Sequence, residues 1–595
     1  MTGAPGRSPA ARAQRVGFGV VLVIGALDAW FFQRWNVDPD GVSYLDLARA
    51  FAAHGPRALL NGYWSPLFPA AMGTLFRFVP PTMETMYRLA HALGFALYVA
   101  TCLTFYRLVS AIAARSRRFA SATPAEQVTC VALAWAAYAL LVLKGVGVRL
   151  LTPDMGVCLV AFWLAAGMLS LNDARWPARR WLLLGLLLGA AYWWKAILLP
   201  VGVVAFAGFV LIAWRRHDGW RGPGVAVIAY GAVALALIIP VSRLTGRATF
   251  GETGRLNFLW YVNNAPYVWE RCRDPRTPDA VAARYGSIRL DSVMALRPLT
   301  CALPEPAPEA TMPLWYDPSL WYRGTHGHIG IDEELRSVRN NVRFLVDAFA
   351  LGAPVLFPAF LCFGILALAW GARATAGVPL GMLVSAPFAF YLLVYVELRH
   401  VAPFVLIGCA MVPFALLQLG QKRRHAALAL LALLVLGDAA VQLSEQTLIE
   451  LTFARRALQG RLGDRDPESL HVARALRARG LEPGMRVASI NNLWNPEWAQ
   501  LAGLRVRAQV PDLSVSVVQV AKLLADACTE AAWAAGLRQG GIEAVVAKFP
   551  TGIPLPPGFL PVQNTGFSSL RLVDAPLCPS ARDAATRASL RTGAR

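Results

Sequence analysis

The sequence predicts a polytopic membrane protein that is mostly α-helical and ends in a small α/β domain. Of its 595 residues, 56% are hydrophobic and only 16% are charged, whereas a soluble domain carries about 25% charged residues. Roughly eleven apolar stretches approach the length of about 20 residues that a helix needs to cross a bilayer. Strand-like and helix-like segments alternate only near the C-terminal end. This composition excludes an ordinary soluble enzyme, a disordered chain and a collagen-like fibre.

The candidate membrane spans begin near Val16, Tyr87, Gln127, Asp154, Trp181, Val201, Pro223, Leu351, Ala376, Val401 and Ala426. The fifth and sixth are short and meet at Pro200, which allows one broken helix or a tight pair of helices, and we predict the pair. The first span follows Arg7, Arg12 and Arg15 without a small-residue cleavage site. We therefore expect a membrane anchor here rather than a signal peptide.

Positive charge predicts the orientation of the chain, because cytoplasmic loops of membrane proteins concentrate Lys and Arg. The sequence has 57 Lys and Arg against 36 Asp and Glu, a net charge of +21. Basic groups occupy alternate connections, namely Arg115, Arg117 and Arg118, then Arg175, Arg179 and Arg180, then Arg215 and Arg216, then Arg373, then Lys422, Arg423 and Arg424. We expect a multi-pass protein of the inner (plasma) membrane with a cytoplasmic N-terminus, an extracytoplasmic C-terminal domain and no nucleic-acid partner.

Two domains are predicted. A transmembrane domain covers residues 1–443, with long outward loops at 34–86 and 244–350, and an extracytoplasmic α/β domain covers 444–595. Apolar residues of the stretch Val42–Ala52 recur at helical spacing, which indicates a helix along the membrane surface. The second loop, rich in Pro, Trp and Arg, is expected to form a folded lobe with short helices.

The C-terminal region predicts a parallel sheet, because strands and helices alternate there. The expected elements are a helix at Pro467–Arg479, a strand at Arg486–Ile490, a helix at Glu497–Ala502 and strands at Arg505–Val510 and Ile542–Lys548. It contains no nucleotide-binding glycine motif. The nine cysteines form no CxxC motif, and outside the cytoplasm Cys272–Cys301 is a candidate disulfide and Cys528–Cys578 a weaker one.

The sharpest polar signal is the pair Asp38 and Asp40, directly after the first span. A carboxylate at the membrane edge can act as a general base on an incoming hydroxyl or hold a metal ion. The structural alternative is that Asp40 only caps the following helix, because Asp is favoured at that position. Both interpretations stay open from the residues alone.

A second carboxylate lies in the next outward loop, in the stretch Arg149–Asp154. Thr152 as cap, Pro153 at the first helical position and Asp154 in the first turn would make a sound helix start. The functional alternative places Asp154 in the same chamber as the first pair. Lys195 lies in an apolar run near its outer end, where it needs a partner or ligand, or reaches the interface with its amine.

Glu397, Arg399 and His400 crowd a very short outward turn. They either close the turn through an internal Glu–Arg pair or form a cationic site for phosphate, which suits the arginine fork. The aromatic, Pro-broken stretch Gly62–Pro69 is either an interfacial belt or the lining of an acceptor or lipid groove. All these groups lie on one predicted face of the membrane, whereas unrelated structural features would be scattered over both.

Together, the motifs resemble the GT-C class of integral-membrane glycosyltransferases, over roughly residues 16–443. This class includes the protein O-mannosyltransferase-like (family 39-type) and lipid A aminoarabinose transferase-like families. The matching residues are Asp38, Asp40 and Tyr44 for its acidic first loop, Trp64, Pro66 and Pro69 for its aromatic segment, Pro153 and Asp154 for its second loop, and Glu397, Arg399 and Pro403 for its Glu-x-Arg-Tyr-x-x-Pro turn. His400 stands where the class has Tyr.

The resemblance implies a sugar donor carried on a polyprenyl phosphate and a lipid, glycan or protein acceptor, both met among membrane lipids at the outer face. It makes Asp40 the catalytic base, with Asp38 as its positioner or alternate, and Asp154 a second acidic site. Donor phosphate would bind to Lys195, Arg399, His400 and Arg149, with Tyr44 and Glu397 in support. A single displacement would invert the anomeric centre. No cofactor is assigned, and a divalent metal ion is left open.

Three alternatives remain from the sequence. A transporter of lipid-linked substrates would need charged residues through the membrane centre, whereas the polar residues here gather at one edge. A cell-surface glycan polymerase or ligase would place reactive residues in a large outer loop, and Arg271, Arg273, His326 and His328 are candidates there. For the two histidines, simple loop solvation is the structural alternative. The third alternative is a scaffold whose C-terminal domain binds a partner.

Overall fold

The fold is given by a computed structural model of the chain. It describes residues 8–32, 38–116, 118–267, 301–302, 309–352, 354–369, 377–459, 467–491, 496–510, 517–550 and 552–575. Several sequence-based expectations lie outside these residues, namely those on Arg7, Arg117, Arg271, Cys272, Arg273, Arg373 and Cys578.

Helices dominate the first 458 residues. In chain order they are α1 (Pro9–Phe32), α2 (Pro39–His54), α3 (Leu67–Phe78), α4 (Met86–Arg115), α5 (Pro124–Tyr138), α6 (Asp154–Asp173), α7 (Ala178–Trp194), α8 (Leu198–Arg215), α9 (Arg221–Thr245), α10 (Thr253–Asn257), α11 (Pro313–Tyr316), α12 (Ile331–Gly352), α13 (Leu356–Ala369), α14 (Gly377–Val394), α15 (Leu398–Leu416) and α16 (Gln421–Leu458). A π-helical stretch, Ala139–Gly147, continues α5.

The protein is a multi-pass membrane protein. Among the described residues, eight helices are long and apolar enough to cross a membrane: α1, α4, α5 with its π-helical continuation, α6, α8, α9, α15 and α16. The other three predicted spans correspond to the shorter helices α7, α13 and α14. The eighth span was expected near Leu351, but the amphipathic helix α12 runs through that position and α13 starts at Leu356.

The fifth and sixth predicted spans are a tight pair of helices, as expected. Leu188 and Gly202 lie seven residues on either side of Lys195, and a Cβ atom on Gly202 would lie 3.5 Å from the Leu188 side chain. The chain therefore reverses between α7 and α8. Helix α7 also packs tightly on α9, because a Cβ atom on Gly185 would lie 2.2 Å from the carbonyl oxygen of Ala226. Only glycine permits this approach.

The predicted surface helix exists as α2, but it is buried. Nine of its 16 residues have no appreciable exposure. Tyr44, Leu45 and Leu47 belong to the same apolar core as Trp260 and Leu314 of the outer lobe. The sequence pattern revealed the helix, whereas its cover comes from the nearby helix α3, where a Cβ atom on Gly73 would lie 2.5 Å from the carbonyl oxygen of Ala48, and from segments more than 200 residues away.

The C-terminal region forms a six-stranded sheet with the strands β1 (Cys301–Ala302), β2 (Arg486–Ile490), β3 (Arg505–Val510), β4 (Ala544–Lys548), β5 (Leu560–Pro561) and β6 (Phe567–Arg571) in the order β1-β3-β2-β4-β6-β5. The three predicted strands β2, β3 and β4 pair in parallel, as expected. The remaining pairs are antiparallel. Among the described residues, four helices accompany the sheet: α17 (Glu468–Ala478), α18 (Glu497–Ala502), α19 (Val517–Leu524) and α20 (Ala527–Gln539).

The C-terminal sheet is joined to the outer lobe and to α2. Strand β1, which comes from the second outward loop, pairs with β3. The side-chain amide of Gln500, on α18, donates to the carbonyl oxygen of Val42 and to the carboxylate of Asp46, both at 2.8 Å. Helix α16 runs across the predicted domain boundary at residue 443. The division into domains stays a prediction.

Candidate active site

The first functional element is the start of α2. Asp38 is the N-cap of this helix, because its Oδ1 accepts a hydrogen bond from the backbone N–H of Asp40 at 2.9 Å. The capping alternative for Asp40 is therefore wrong. Pro39 has a fixed φ angle and no N–H, so it occupies the first helical position and Asp38 becomes the cap. The carboxylate of Asp40 thus stays available for other contacts.

Arg399 lies at the centre of the site. Its guanidinium contacts four carboxylates among the described residues: Asp38 Oδ2 at 2.8 Å, Asp40 Oδ2 at 3.4 Å, Asp154 Oδ2 at 3.8 Å and Glu397 Oε2 at 2.5 Å. The Arg399 side chain is only 16% exposed. The start of α2, the start of α6 and the turn between α14 and α15 therefore meet around one buried cation.

Asp154 links this arginine to a second cation. The Lys195 Nζ atom donates to Asp154 Oδ1 from the turn between α7 and α8. The hydroxyl of Thr152 donates to Asp154 Oδ2 at 2.8 Å. Helix α6 begins at Asp154, one residue later than the sequence predicted, so Thr152 contacts this carboxylate rather than a backbone N–H. Lys195 has the partner that its place in an apolar run required.

The turn between α14 and α15 adds aromatic support. The Tyr395 hydroxyl donates to Glu397 Oε1, and the Tyr395 ring stacks on Tyr261, with centroids 3.9 Å apart. The His400 ring stacks on Tyr391, with centroids 4.7 Å apart, and its Nδ1 atom is buried and has no hydrogen-bond partner in the part of the chain that the structure describes. The Glu–Arg pair expected within this turn is present, and Arg399 also reaches the carboxylates of two other segments.

An aromatic wall covers the other side of Asp40. Trp315, on α11, donates from Nε1 to Asp40 Oδ1 at 3.1 Å. The Trp64 indole donates to the carbonyl oxygen of Trp315 at 2.9 Å, and the Tyr44 ring packs edge-on against Trp64 with centroids 4.9 Å apart. The aromatic stretch predicted from the first loop therefore lies beside the acidic pair.

The environment changes the proton affinity of the carboxyl groups outside the spans. Burial and the negative charge of Asp38 raise the pKa of Asp40 to about 7, although Arg399 opposes the change. Burial also raises the pKa of Asp38, again against the effect of Arg399. Burial alone would raise the pKa of Glu397, but the charge of Arg399 lowers it below its ordinary value. Asp40 is thus poised to exchange a proton near neutral pH.

The carboxylates of this cluster pair with the side chains of Arg399 and Lys195. No group of three or more His, Cys, Asp or Glu side chains in the described part of the chain could hold a metal. The carboxylate oxygens of Asp38, Asp154 and Glu397 face Arg399 or Lys195. These residues therefore do not fit a metal site.

Some predicted residues lie elsewhere. The Arg149 guanidinium lies over the ring of Phe32, 5.7 Å from its centroid, in a separate cavity beside α1. His328 is exposed and pairs with Glu333 at 3.0 Å, in agreement with the loop alternative. The sequence analysis missed Trp315 and Tyr395, which contact the predicted acids directly. Tyr395 adjoins the Glu-x-Arg turn, which could have drawn attention to it, but no local pattern marks Trp315.

Comparisons with known proteins return similar structures at low identity. No protein-family model and no curated protein matches the chain. The apo structure of ArnT from Cupriavidus metallidurans matches at 15% identity and a TM-score of 0.47, covering 94% of this chain and 98% of that one. The same protein bound to undecaprenyl phosphate matches at 14% identity and a TM-score of 0.48, covering 94% and 97%.

An oligosaccharyltransferase from Archaeoglobus fulgidus, in its apo form, matches at 11% identity and a TM-score of 0.48. The match covers 91% of this chain and 69% of that one. These structures are glycosyltransferases of the class that the motifs resemble.

Proposed function

We propose that this chain is an integral-membrane glycosyltransferase that moves a sugar from a polyprenyl phosphate to an acceptor hydroxyl at the extracytoplasmic face. The observation that carries the proposal is Asp40, a half-buried carboxyl group with a pKa of about 7 that lies beside the guanidinium of Arg399. A group of this kind can accept a proton near neutral pH, while the cation next to it stabilises a developing anion.

In the proposed reaction, Asp40 accepts the proton of the acceptor hydroxyl. The hydroxyl oxygen forms a bond to the anomeric carbon of the sugar, and the bond from that carbon to the phosphate oxygen breaks. The polyprenyl phosphate leaves as an anion, and a single displacement inverts the anomeric centre. Arg399 and Lys195 stabilise this leaving group, because phosphate already bears negative charge and needs cations more than a proton.

The other residues hold these groups in place. Asp38 caps α2 and fixes Arg399 at 2.8 Å, and Asp154 positions both cations. Glu397 fixes the Nε side of the guanidinium, while Tyr44 and His400 pack as walls. We keep His400 as a candidate phosphate contact, because its Nδ1 atom has no partner among the described residues. The predicted phosphate contact of Arg149 lies in the separate cavity described above.

The charge balance implies that donor binding depends on pH. Among the described residues, four ionised carboxylates would face two cations, so the cluster is negative when all groups are charged. Protonation of Asp40 reduces this negative charge. Donor phosphate is therefore expected to bind more weakly as the pH rises through about 7, while proton acceptance by Asp40 improves over the same interval.

The extracytoplasmic placement of the C-terminal domain is part of the proposal. Cys528 in this domain is disulfide-bonded, and disulfides persist in oxidising compartments outside the cytoplasm. The proposed topology also has a cytoplasmic N-terminus in the inner membrane. Reporter fusions after Gln421 and after Leu448 should report opposite sides, and the same side for both would contradict it.

The decisive variant is Asp40→Asn, which keeps the shape of the side chain but removes the base. Sugar transfer from undecaprenyl-phosphate-linked sugars should fall by about 10²–10⁴-fold. Binding of undecaprenyl phosphate should persist. The matched control is Asp332→Asn, at an exposed position on α12. Turnover like that of the wild type in the Asp40→Asn protein would remove Asp40 as the base.

A further inference from the structure

A second cavity of about 330 Å³ lies at the outer end of α1, beside the π-helical stretch and α16. Its volume falls at the lower end of the range for small-molecule pockets, about 300–1,000 Å³. The polar residues that line it are Asp28, Lys144, Arg149, Gln442, Glu445, Gln446 and Glu450. No contact in the described part of the chain joins these carboxylates to Arg399, so the cavity is separate from the proposed active site.

The two buried acids of this cavity form no salt bridge with the described residues. Asp28 is 2% exposed and Glu450 is 4% exposed. The amide nitrogen of Gln446 donates to Glu450 Oε1 at 2.9 Å and more weakly to Asp28 Oδ1 at 3.4 Å. Glu450 Oε2 is buried and receives no hydrogen bond from the described residues. Two buried carboxylates bridged by one amide need a positive charge or a shared proton.

The two basic side chains of the cavity likewise form no salt bridge with the described residues. Lys144 donates to the neutral side-chain oxygen of Gln442, and Arg149 lies over the ring of Phe32. Among the described residues, neither cation has a carboxylate oxygen within 4 Å. Two cations and three carboxylates thus line one cavity, and the described residues form no salt bridge between the two sets. Such a lining suits a ligand that carries both signs of charge.

An apolar surface runs on from the cavity along α16. Val441 and Leu448 are 66% and 64% exposed and lie seven residues apart, on one face of the helix. Ile449, which is 58% exposed, belongs both to the cavity lining and to this part of the helix. An acyl chain can lie against such a surface when the charged headgroup occupies the cavity.

We propose that this cavity binds the phosphoethanolamine headgroup of a membrane lipid. The ammonium donates to Glu450 Oε2 and Asp28, and the phosphate binds to Lys144 and Arg149. The acyl chains follow the exposed face of α16. This site goes beyond the proposed transfer reaction and does not depend on it. It lies close to that chemistry along the chain, because Phe32 precedes Asp38 by six residues and Arg149 precedes Asp154 by five.

The test measures lipid binding to the purified full-length protein by native mass spectrometry. The probes are dioleoyl phosphatidylethanolamine, the phosphatidylcholine with the same chains, which has no N–H donor, and the phosphatidylglycerol, which has no ammonium. We expect phosphatidylethanolamine to bind at least tenfold more tightly than phosphatidylglycerol, with phosphatidylcholine in between. Equal affinities for the three lipids would overturn the proposal, and this comparison needs only the wild-type protein.

Two variants separate the halves of the site. Glu450→Gln should abolish the preference for phosphatidylethanolamine, whereas Lys144→Gln should weaken all three lipids alike and retain the preference. Asp332→Asn is the control and should change neither. An unchanged preference in Glu450→Gln would mean that the acids only share a proton and bind no ammonium. Soluble phosphoethanolamine should compete weakly, and competition as strong as that of the lipid would overturn the assignment to a lipid.

Discussion

Two carboxylates on α2, those of Asp40 and Asp46, have different surroundings although they are only six positions apart. Asp46 is 1% exposed and accepts hydrogen bonds from the Thr311 N–H at 2.7 Å, the Thr311 hydroxyl at 2.9 Å and the Gln500 amide at 2.8 Å. Asp40 accepts one hydrogen bond from Trp315 and meets Arg399 at 3.4 Å.

The difference shows how one helix can carry both an acid with a structural role, Asp46, and the proposed catalytic base, Asp40. Burial raises the pKa of both groups. Three neutral hydrogen bonds reach the Asp46 oxygens, and Arg49 lies 3.7 Å away. We therefore interpret Asp46 as the residue that attaches the second loop and the C-terminal domain to α2. Asp40 has fewer donors and a second acid beside it, which leaves its Oδ2 able to take up a proton. Asp46 therefore differs from Asp40 both in the number of its donors and in exposure, since its side chain is 2% exposed against 23% for Asp40.

The largest effect that separates the two acids is expected from Asp46→Asn. The amide would direct an N–H group at the donors of Thr311 or Gln500, and a broken buried hydrogen bond costs about 1–3 kcal/mol. The midpoint of thermal unfolding in detergent should fall clearly, while residual transfer per folded molecule should persist. The stability of Asp40→Asn should stay close to that of the wild type. A reversed pattern, with a stable but inactive Asp46→Asn protein, would break the comparison.

A smaller effect is expected from Arg399→Lys, which keeps the charge but loses the planar fork. Lysine cannot contact Asp38, Asp40 and Glu397 together in the fixed geometry of the guanidinium. Binding of undecaprenyl phosphate, followed by a titration of the purified protein, should weaken by about tenfold. Arg423→Lys, in the first turn of α16, is the control. Unchanged affinity in Arg399→Lys would move the phosphate site elsewhere.

The smallest effect is expected from Asp38→Asn, read as a shift in the pH dependence of transfer. The negative charge of Asp38 raises the pKa of Asp40, so its removal should lower that pKa. Asp40 would then lose its proton at lower pH, and the rising limb of the activity profile should move toward acid. Asparagine can still cap α2, so the fold should persist. A shift toward alkaline pH would contradict the assigned coupling.

Much of the architecture could be predicted because it depends on local pattern. Apolar length gave the succession of helices, and Pro200 between two short stretches gave the pair α7 and α8. Three strands of the C-terminal sheet followed from alternation. The short strands β1, β5 and β6 were missed. β1 and β5 have two residues each, and β1 depends on β3, a partner about 200 residues away in sequence.

The site shows the same division between local and long-range information. Acids and cations at the outward ends of predicted helices identified the residues that meet around Arg399. Their mutual contacts, and the roles of Trp315 and Gln500, depend on chain segments hundreds of residues apart. Arg149 was grouped with the site because it is near Asp154 in sequence, yet its side chain lies toward α1 in the second cavity.

The most direct test of the central claim is the pH–rate profile of sugar transfer by the wild-type protein. In the proposed mechanism, Asp40 is protonated and cannot act as the base below its pKa of about 7. The first-order transfer rate at saturating donor should therefore rise with pH and level off above that value, and Asp40→Asn should lack this limb. A wild-type rate that is flat between about pH 5 and 8, or a rising limb that survives in Asp40→Asn, would contradict Asp40 as the base.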